Sequence, residues 1–489
     1  MIAMSLTDVA NAVGATYEPH GSADRVTRVV TDSREVEAGD LFVAIAGDRA
    51  DGHAFIAEAH AKGAVAALCT RPGLSRNLPG RSESAGRCLV VDDTVTALGR
   101  LASHYRQKVM HVATVVVGVT GTNGKTTTKC MIDHVLSGAF PGKAAPKSFN
   151  NHLGVPLTLL SADAEDRYLI VEIGTNSPGE VAALSEIAKP HAGVITSISE
   201  AHLQRLRGID GVAKEKAALL QHIDPHGLAV VNIDRGEIEP YLATAACARA
   251  VTVGVSPSAQ LSVAGATGDI SGSSFKLNGR YDVQLPMPGM HHATNAAATF
   301  AVARWFGVAP ERIIERLRSF APPAGRTRTL VGGGTVLVDD SYNANPASMS
   351  SAVDTLRRAS STRRVFVMGD MLELGAESAA YHERTVRDVL NARIEVLIGV
   401  GPAMSRAIGD LGAESGDTEC IRCGGADAAS DELLSLIRRG DTIWVKGSRA
   451  MQLDRVVKRW QSSSVSKRMV ATRPVRRGAA VCAGPETAG

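Results

Sequence analysis

The sequence predicts an α/β protein of three domains: a central P-loop (phosphate-loop), parallel-sheet unit with a smaller α/β unit on either side. Three observations carry that expectation. A β-branched run, Val115-Val116-Val117-Gly118-Val119, ends in a glycine-rich turn and leads into a helix-compatible stretch. Apolar runs of strand length alternate with helical stretches along most of the chain, the pattern of parallel sheets covered by helices. At 489 residues the chain is too long for one core, and Ala321-Pro322-Pro323-Ala324-Gly325 reads as a linker that separates the last third. The expected divisions are residues 1–108, 109–320 and 321–464, followed by a disordered basic tail, 465–489.

Composition is that of a globular protein, 44% hydrophobic and 21% charged. The most apolar run, 112–119, is far too short to span a bilayer, so no membrane insertion is expected. The first residues lack a basic region followed by an apolar core, so no signal peptide is read there. Seven scattered cysteines fit a reduced, cytoplasmic setting, and Cys420-Ile421-Arg422-Cys423 lacks the second pair that a zinc site would need. The net charge of +3 is concentrated in the tail, where Lys467, Arg468, Arg473, Arg476 and Arg477 outweigh Glu486, and residues 1–465 sum to −1. The body offers no broad basic face, so a nucleic-acid partner is not expected.

In the first unit, residues 5–13 carry Leu6, Val9, Ala10 and Val13 at helical spacing, with Ser5 or Thr7 near the cap. Residues 29–35 read as a strand running into a polar turn, 39–47 as a buried strand ending in glycine, 55–62 as a helix and 89–91 as a strand. Asp32, Ser33, Arg34 and the loop from Gly47 to His53 fall near strand ends, where open α/β sheets bind ligands; plain turn chemistry explains them equally well.

In the central unit, strands are expected at 114–118, 168–173, 193–198 and 228–233. In the turn Thr120-Gly121-Thr122-Asn123-Gly124-Lys125-Thr126-Thr127, the two glycines let backbone N–H groups face phosphate oxygens. Lys125 would reach the β- and γ-phosphates and Thr126 would hold Mg²⁺. The common motif has a glycine where Val119 stands, so the spacing is a variant. Glu172 ends an apolar strand beside this loop, the expected place for a Mg²⁺ ligand. His202 follows another strand end and is a second metal-site candidate, although Mg²⁺ prefers oxygen. Lys214 and Lys216 lie on different faces of a helix, and periodicity alone cannot separate them from solvated lysines. A polar loop with Ser148, Asn150 and Asn151 precedes a short helix. Residues 261–285 read as antiparallel strands forming an insertion outside the sheet core. Residues 288–298 begin a small-residue helix that includes Asn295.

The third unit has expected strands at 335–339, 364–368, 394–400 and 442–445. Polar residues again follow the strand ends: Asp340, Tyr342 and Asn345 after the first, Lys446-Gly447-Ser448-Arg449 after the last. Arg326 closes the linker.

Taken together, Thr120–Thr127, the Ser148-Phe149-Asn150-Asn151 loop with Gly154 and Pro156, Asp339-Asp340-Ser341-Tyr342-Asn343-Ala344-Asn345-Pro346, and Met368-Gly369-Asp370-Met371-Leu372-Glu373-Leu374-Gly375 resemble the Mur ligases. These are ATP-dependent, amide-forming enzymes of peptidoglycan synthesis. The likeness covers residues 5–462 and is strongest to the branch that adds D-alanyl-D-alanine to UDP-N-acetylmuramoyl tripeptide. The Asp-Asn-Pro-Arg tetrapeptide of the diaminopimelate-adding branch is absent. The variant loop spacing is the family's own. The resemblance implies an N-terminal UDP-substrate domain, a central ATPase domain and a Rossmann-like C-terminal ligase domain. It also implies ATP contacts from Gly121 to Thr127 and from Asn295, Arg326 and Asp340. Implied metal ligands are Thr126, Glu172, His202 and a carbamylated Lys216, with Lys214 as the alternative. Implied catalytic residues are Lys125, Lys216 and His202. Substrate contacts would come from Asp32, Ser33, Arg34, Gly47, Asn150, Asn151, Tyr342 and Asn345. The expected assembly is a cytoplasmic monomer. Another ligase of the superfamily, adding a different amino acid, is the alternative.

Overall fold

The computed structural model describes residues 1–15, 25–47, 50–77, 88–200, 203–414 and 416–463. The expected disordered tail and His202 lie outside them.

The chain forms three main sheets. The first has four parallel strands, Arg28–Val30, Asp40–Val43, Ala66–Thr70 and Cys88–Val91, in that spatial order. Helix Leu6–Val13 starts where the Ser5 hydroxyl accepts the Asp8 N–H at 3.0 Å and stops at Gly14, whose φ of +73° ends the turn. Its four apolar residues pack with helix Thr94–His104 into a core shared with one face of the central sheet.

The central sheet has nine strands. Seven neighbours pair in parallel, in the order Leu261–Asp269, Arg249–Gly254, Leu228–Asn232, Ala192–Ile195, Val115–Thr120, Tyr168–Glu172, Gly142–Ala144. The phosphate-loop strand is thus well inside the sheet. Its side chains alternate: Val116 faces the core shared with the first unit, and Val117 and Val119 face helices Lys125–Leu136 and His292–Trp305. The expected insertion at 261–285 is part of this sheet. Leu261–Asp269 pairs in parallel with Arg249–Gly254, and Gly272–Leu277 and Tyr281–Leu285 extend the edge antiparallel. The strand that joins them, Arg249–Gly254, has an exposed start and no clear apolar alternation, so its pattern did not announce it.

The third sheet has six strands, in the order Arg328–Gly332, Thr335–Asp340, Asp441–Lys446, Arg363–Gly369, Val396–Val400, Glu419–Cys423. All pairs are parallel except the first. Cys420 and Cys423 sit three apart on the last strand and therefore contribute to cores on opposite faces, which rules out a shared thiol site.

His191 ties the base of the phosphate-loop strand. Its Nδ1 accepts the Val116 N–H at 2.8 Å, and Arg106 anchors the same turn by donating to the carbonyls of Ala188 and Lys189. Burial, and then the Arg106 charge, push the imidazole down to about 4. The unfolded chain takes up this proton near pH 6.5 and the folded one only near 4, so stability falls as pH drops through that window. A His191→Gln variant should show a shallower loss of stability than the parent between pH 6.5 and 4 in denaturant titrations. An unchanged slope would remove His191 from the account.

Candidate active site

The carboxyl ends of three adjacent parallel strands, Val115–Thr120, Tyr168–Glu172 and Ala192–Ile195, open on one spot. There the chain curls through Gly121 (φ +137°) and Gly124 (φ +82°) into helix Lys125–Leu136. A Cβ on Gly121 would lie 2.1 Å from Thr196 Oγ1, and one on Gly124 would lie 2.6 Å from Asn295 Oδ1, so both positions need glycine for space as well as for backbone angle. The loop is braced from behind. Thr122 N–H donates to Ser197 O at 2.8 Å, Asn123 N–H to Ser197 Oγ at 2.9 Å, and Thr196 Oγ1 to Asn123 O at 2.6 Å. No side chain caps the helix, which leaves its first N–H groups for an anion. Lys125 Nζ lies over the loop, donating to the carbonyls of Gly121 (2.7 Å) and Thr122 (3.0 Å).

Beside the loop, Glu172 is 1% exposed and fully engaged. Its Oε2 accepts from Thr126 Oγ1 at 2.9 Å, its Oε1 from Asn150 Nδ2 at 2.9 Å, and Lys129 Nζ lies 3.3 Å from Oε2. Ser148 Oγ is 3.2 Å from Thr126 Oγ1, and Arg326 Nη2 donates to the same hydroxyl at 3.2 Å. Thr126, Ser148 and Glu172 present oxygen only, a donor set that suits Mg²⁺. Among the described residues no group of three or more His, Cys, Asp or Glu could hold a metal, so any ion here would also be held by hydroxyls and its ligand.

The third sheet forms the opposite wall of a cavity of about 810 Å³. Arg326 stacks on Tyr342 with its guanidinium carbon 3.9 Å from the ring centroid, and Arg449 lies 5.5 Å from the same ring. Lys446 Nζ donates to Asp340 Oδ2 at 2.7 Å and to Asn343 O at 3.0 Å. Asn345 starts helix Pro346–Arg357 with a capping box, its Oδ1 accepting the Ser348 N–H. Its Nδ2 also donates to Asn123 Oδ1 at 2.7 Å, so the cap of this helix touches the phosphate loop directly.

Other expected residues lie elsewhere. Lys216 is 2% exposed, and its side chain has no hydrogen bond or ion pair to a described residue. Burial, and then the Lys125 charge, push its pKa well below the usual lysine value. Lys214 is exposed. Asn295 is buried behind Gly124, 3.2 Å from His292 Nδ1, rather than on the cavity wall. Asn151 caps helix Gly154–Leu160 by accepting the Gly154 N–H at 2.9 Å and also lines the cavity. Asp32 accepts from Arg34 N–H and pairs with its guanidinium at 2.6 Å, which holds the carboxyl at about 2. Ser33 is buried and its carbonyl accepts from Lys62, while Gly47 sits in an exposed turn. None of these first-unit residues lines the cavity.

Residues 25–106 match the description "Mur ligase family, catalytic domain", 119–303 the Mur ligase middle domain, and 325–449 the "Mur ligase, glutamate ligase domain". A UDP-N-acetylmuramoyl-tripeptide–D-alanyl-D-alanine ligase of Bacillus subtilis (strain 168) is 31% identical, over 94% of this chain and 98% of its own. The chain belongs to the Mur ligase family. The equivalent Escherichia coli (strain K12) ligase is 34% identical, with the same coverage of each chain. Among solved structures, MurF of Acinetobacter baumannii is similar with a TM-score of 0.81 at 29% identity, over 93% of this chain and 98% of that one. MurF of Thermotoga maritima, in complex with ADP, has a TM-score of 0.76 at 25% identity, over 90% of this chain and 98% of that one.

Two features of this Mur ligase escaped the sequence reading. Lys129, one turn after Lys125, is 1% exposed, and its ammonium serves Glu172, Ala145 O (2.7 Å) and Lys147 O. The signal was there: a lysine four residues past the loop lysine, on a helix face otherwise buried in the sheet. His291 and His292 line the cavity with rings 3.9 Å apart, bonded to Ser351 Oγ (2.8 Å) and Thr327 Oγ1 (2.9 Å); no local pattern marks them. Lys129→Met should destabilise the protein by about 3 kcal/mol, because it leaves the Glu172 charge buried with its cation gone. Adding Glu172→Gln should recover much of that loss. Denaturant unfolding of the single and double variants tests it, and an additive double variant would show that the pair is not coupled.

Proposed function

We propose that this Mur ligase joins the terminal carboxylate of UDP-N-acetylmuramoyl tripeptide to the amine of D-alanyl-D-alanine at the expense of ATP, in peptidoglycan precursor synthesis. The observation that carries the reading is the phosphate loop packed against the Thr126–Glu172–Arg326 cluster, in a chain 31–34% identical over 94% of its length to ligases of that description. A diaminopimelate ligase and a folylpolyglutamate synthase share the fold at 16% and 18% identity and carry no argument about substrate. Among the described residues no helix is long and apolar enough to cross a membrane. The reading makes the enzyme a cytoplasmic monomer, acting where ATP and a UDP-linked precursor are supplied.

A carboxylate is a poor acyl donor because its leaving group would be oxide. Phosphorylation by the γ-phosphoryl of ATP gives an acyl phosphate, and the amine then displaces phosphate to form the amide. Two anions must meet in the first step. The N–H groups of the loop and the helix start would hold the ATP phosphates, with Lys125 leaving its loop carbonyls for phosphate oxygens. Arg326 is placed to share the charge. Mg²⁺ held by Thr126 and Glu172 would neutralise phosphate charge. Asp340, paired with Lys446, is a nucleotide contact in this reading, Asn295 backs the phosphate loop behind Gly124 instead of reaching the cavity, and His202 is a further metal ligand. Asn150, bonded to Glu172, keeps the 148–151 loop beside the reacting carboxylate. Asp32, Ser33, Arg34 and Gly47 would hold the UDP end, far along the precursor from the chemistry.

Lys216 suits carbamylation. Its neutral amine adds to CO₂, giving a carbamate and releasing one proton, which turns a destabilised buried cation into an anion bearing metal-binding oxygens. Exhaustive CO₂ removal should lower activity and bicarbonate should restore it, while Lys216→Ala should be rescued by short carboxylic acids. Full activity of Lys216→Ala without any addition would exclude the carbamate. The substrate assignment is tested by phosphate release with UDP-N-acetylmuramoyl tripeptide. D-alanyl-D-alanine should stimulate it and single amino acids should not; the opposite pattern sinks the reading. Lys125→Ala should fold normally and lose about a thousandfold in turnover.

A further inference from the structure

In the first sheet one buried imidazole fastens the loop after the second strand to the end of the third. The ladder between Asp40–Val43 and Ala66–Thr70 runs on to Ala44, whose N–H donates to Leu68 O at 2.9 Å. In a parallel ladder the next N–H facing that neighbour comes two residues later, at Thr70. By then the second strand has turned into its loop, and the Thr70 N–H donates instead to Nε2 of His53 at 2.9 Å. Because Nε2 accepts, the ring proton sits on Nδ1 and goes to Asp51 Oδ1 at 2.6 Å; the same oxygen accepts the His53 N–H at 3.0 Å. His53 is 2% exposed. Asp51 closes the loop by bridging to Ala46, and beside it Gly52 N–H donates to Ile45 O at 2.8 Å. A Cβ on Gly52 would lie 2.7 Å from Ile45 N, and one on Gly73 would lie 2.3 Å from the His53 ring, so neither loop nor ring has room to drift.

We propose that His53 is a positioning residue for the nucleoside-diphosphate end of the donor, which rests on the ligase reading above. Open α/β sheets take ligands in the crevice beyond the carboxyl ends of their strands. Two rims of that crevice are the turn at Asp32–Arg34, after the first strand, and the loop at Gly47, after the second. Lys62 ties the first rim from behind through Ser33 O, and His53 ties the second to the third strand. The buried ring does not touch the ligand; it acts through the loop it fixes. The nucleotide end of the donor lies far from the reacting carboxylate and is held equally in the ground and transition states. A loss of its grip therefore appears in KM for the donor and not in kcat.

Steady-state kinetics with UDP-N-acetylmuramoyl tripeptide, and with the same donor lacking its uridylyl group, test the role. The parent enzyme should show a much higher KM for the truncated donor. His53→Leu removes two buried hydrogen bonds and should raise the KM for the full donor by about tenfold. Its KM for the truncated donor, for ATP and for D-alanyl-D-alanine should stay within about twofold of the parent's, and kcat should hardly change, since a general loss of structure would move them all. His53→Gln, whose side-chain oxygen can still accept from Thr70, should recover much of the loss. Gly73→Ala keeps every bonding atom but displaces the ring, and should reproduce the rise in KM for the full donor. It also keeps the test decisive if His53→Leu does not fold. Variants that keep the parent's preference for the full donor, KM values that rise together for both donors and ATP, or a parent that does not distinguish the donors overturn the positioning role while the ligase reading stands. Absence of any dipeptide-stimulated phosphate release by the parent enzyme would instead remove the ligase reading itself.

Discussion

A carboxylate with almost no access to water sits at the end of one strand, and much of the cleft is arranged around it. Glu172 is accommodated there by Lys129, which brings a cation from below, and by Thr126 and Asn150, which bring hydrogen-bond donors from two sides. Each partner belongs to a different piece of chain. Thr126 fixes the helix after the phosphate loop, Asn150 fixes the 148–151 loop, and Lys129 also holds two carbonyls at that loop's base. One buried carboxylate thereby sets the relative positions of the phosphate loop and the 148–151 loop.

The second wall is joined to the first by few but specific contacts. Arg326, just past the linker, reaches Thr126 while its flat face rests on Tyr342 of the next sheet. Asp339 anchors the linker by accepting the Gly325 N–H at 2.7 Å. The linker is thus part of the site and not merely a tether, and a shift of the third sheet would carry Arg326, Tyr342 and Lys446 with it. Closure of facing walls is a general way of excluding water from a reactive site.

The α/β class and the three sheets were legible because buried parallel strands read as apolar runs and the phosphate loop has a strong local signature. What hid was whatever depends on pairing between distant segments. Ala66–Thr70 and Arg249–Gly254 are strands by virtue of their neighbours, with alanines in one and exposed residues in the other, and without the second of them the 261–285 strands looked detached. Strand-end position marked Glu172 and Asp340 as cleft residues. It could not distinguish Asn150, which bonds Glu172, from Asn151, which caps a helix, because both choices are local in sequence and tertiary in cause. Lys214 and Lys216 looked alike on periodicity, whereas burial separates them: one is solvated, the other stripped of water beside a second lysine.

The contact between Asn123 and Asn345 joins two neutral amides. Salt and pH act on the ionic contacts of the cleft, such as that of Lys446 with Asp340. They have little purchase on an amide pair. This contact, at the seam between the phosphate loop and the third sheet, is therefore little affected by the medium. An asparagine that both begins a helix and fastens that seam also ties the straightness of the helix's first turn to the seam being shut, so fraying at one end of Pro346–Arg357 and parting of the two walls become a single event.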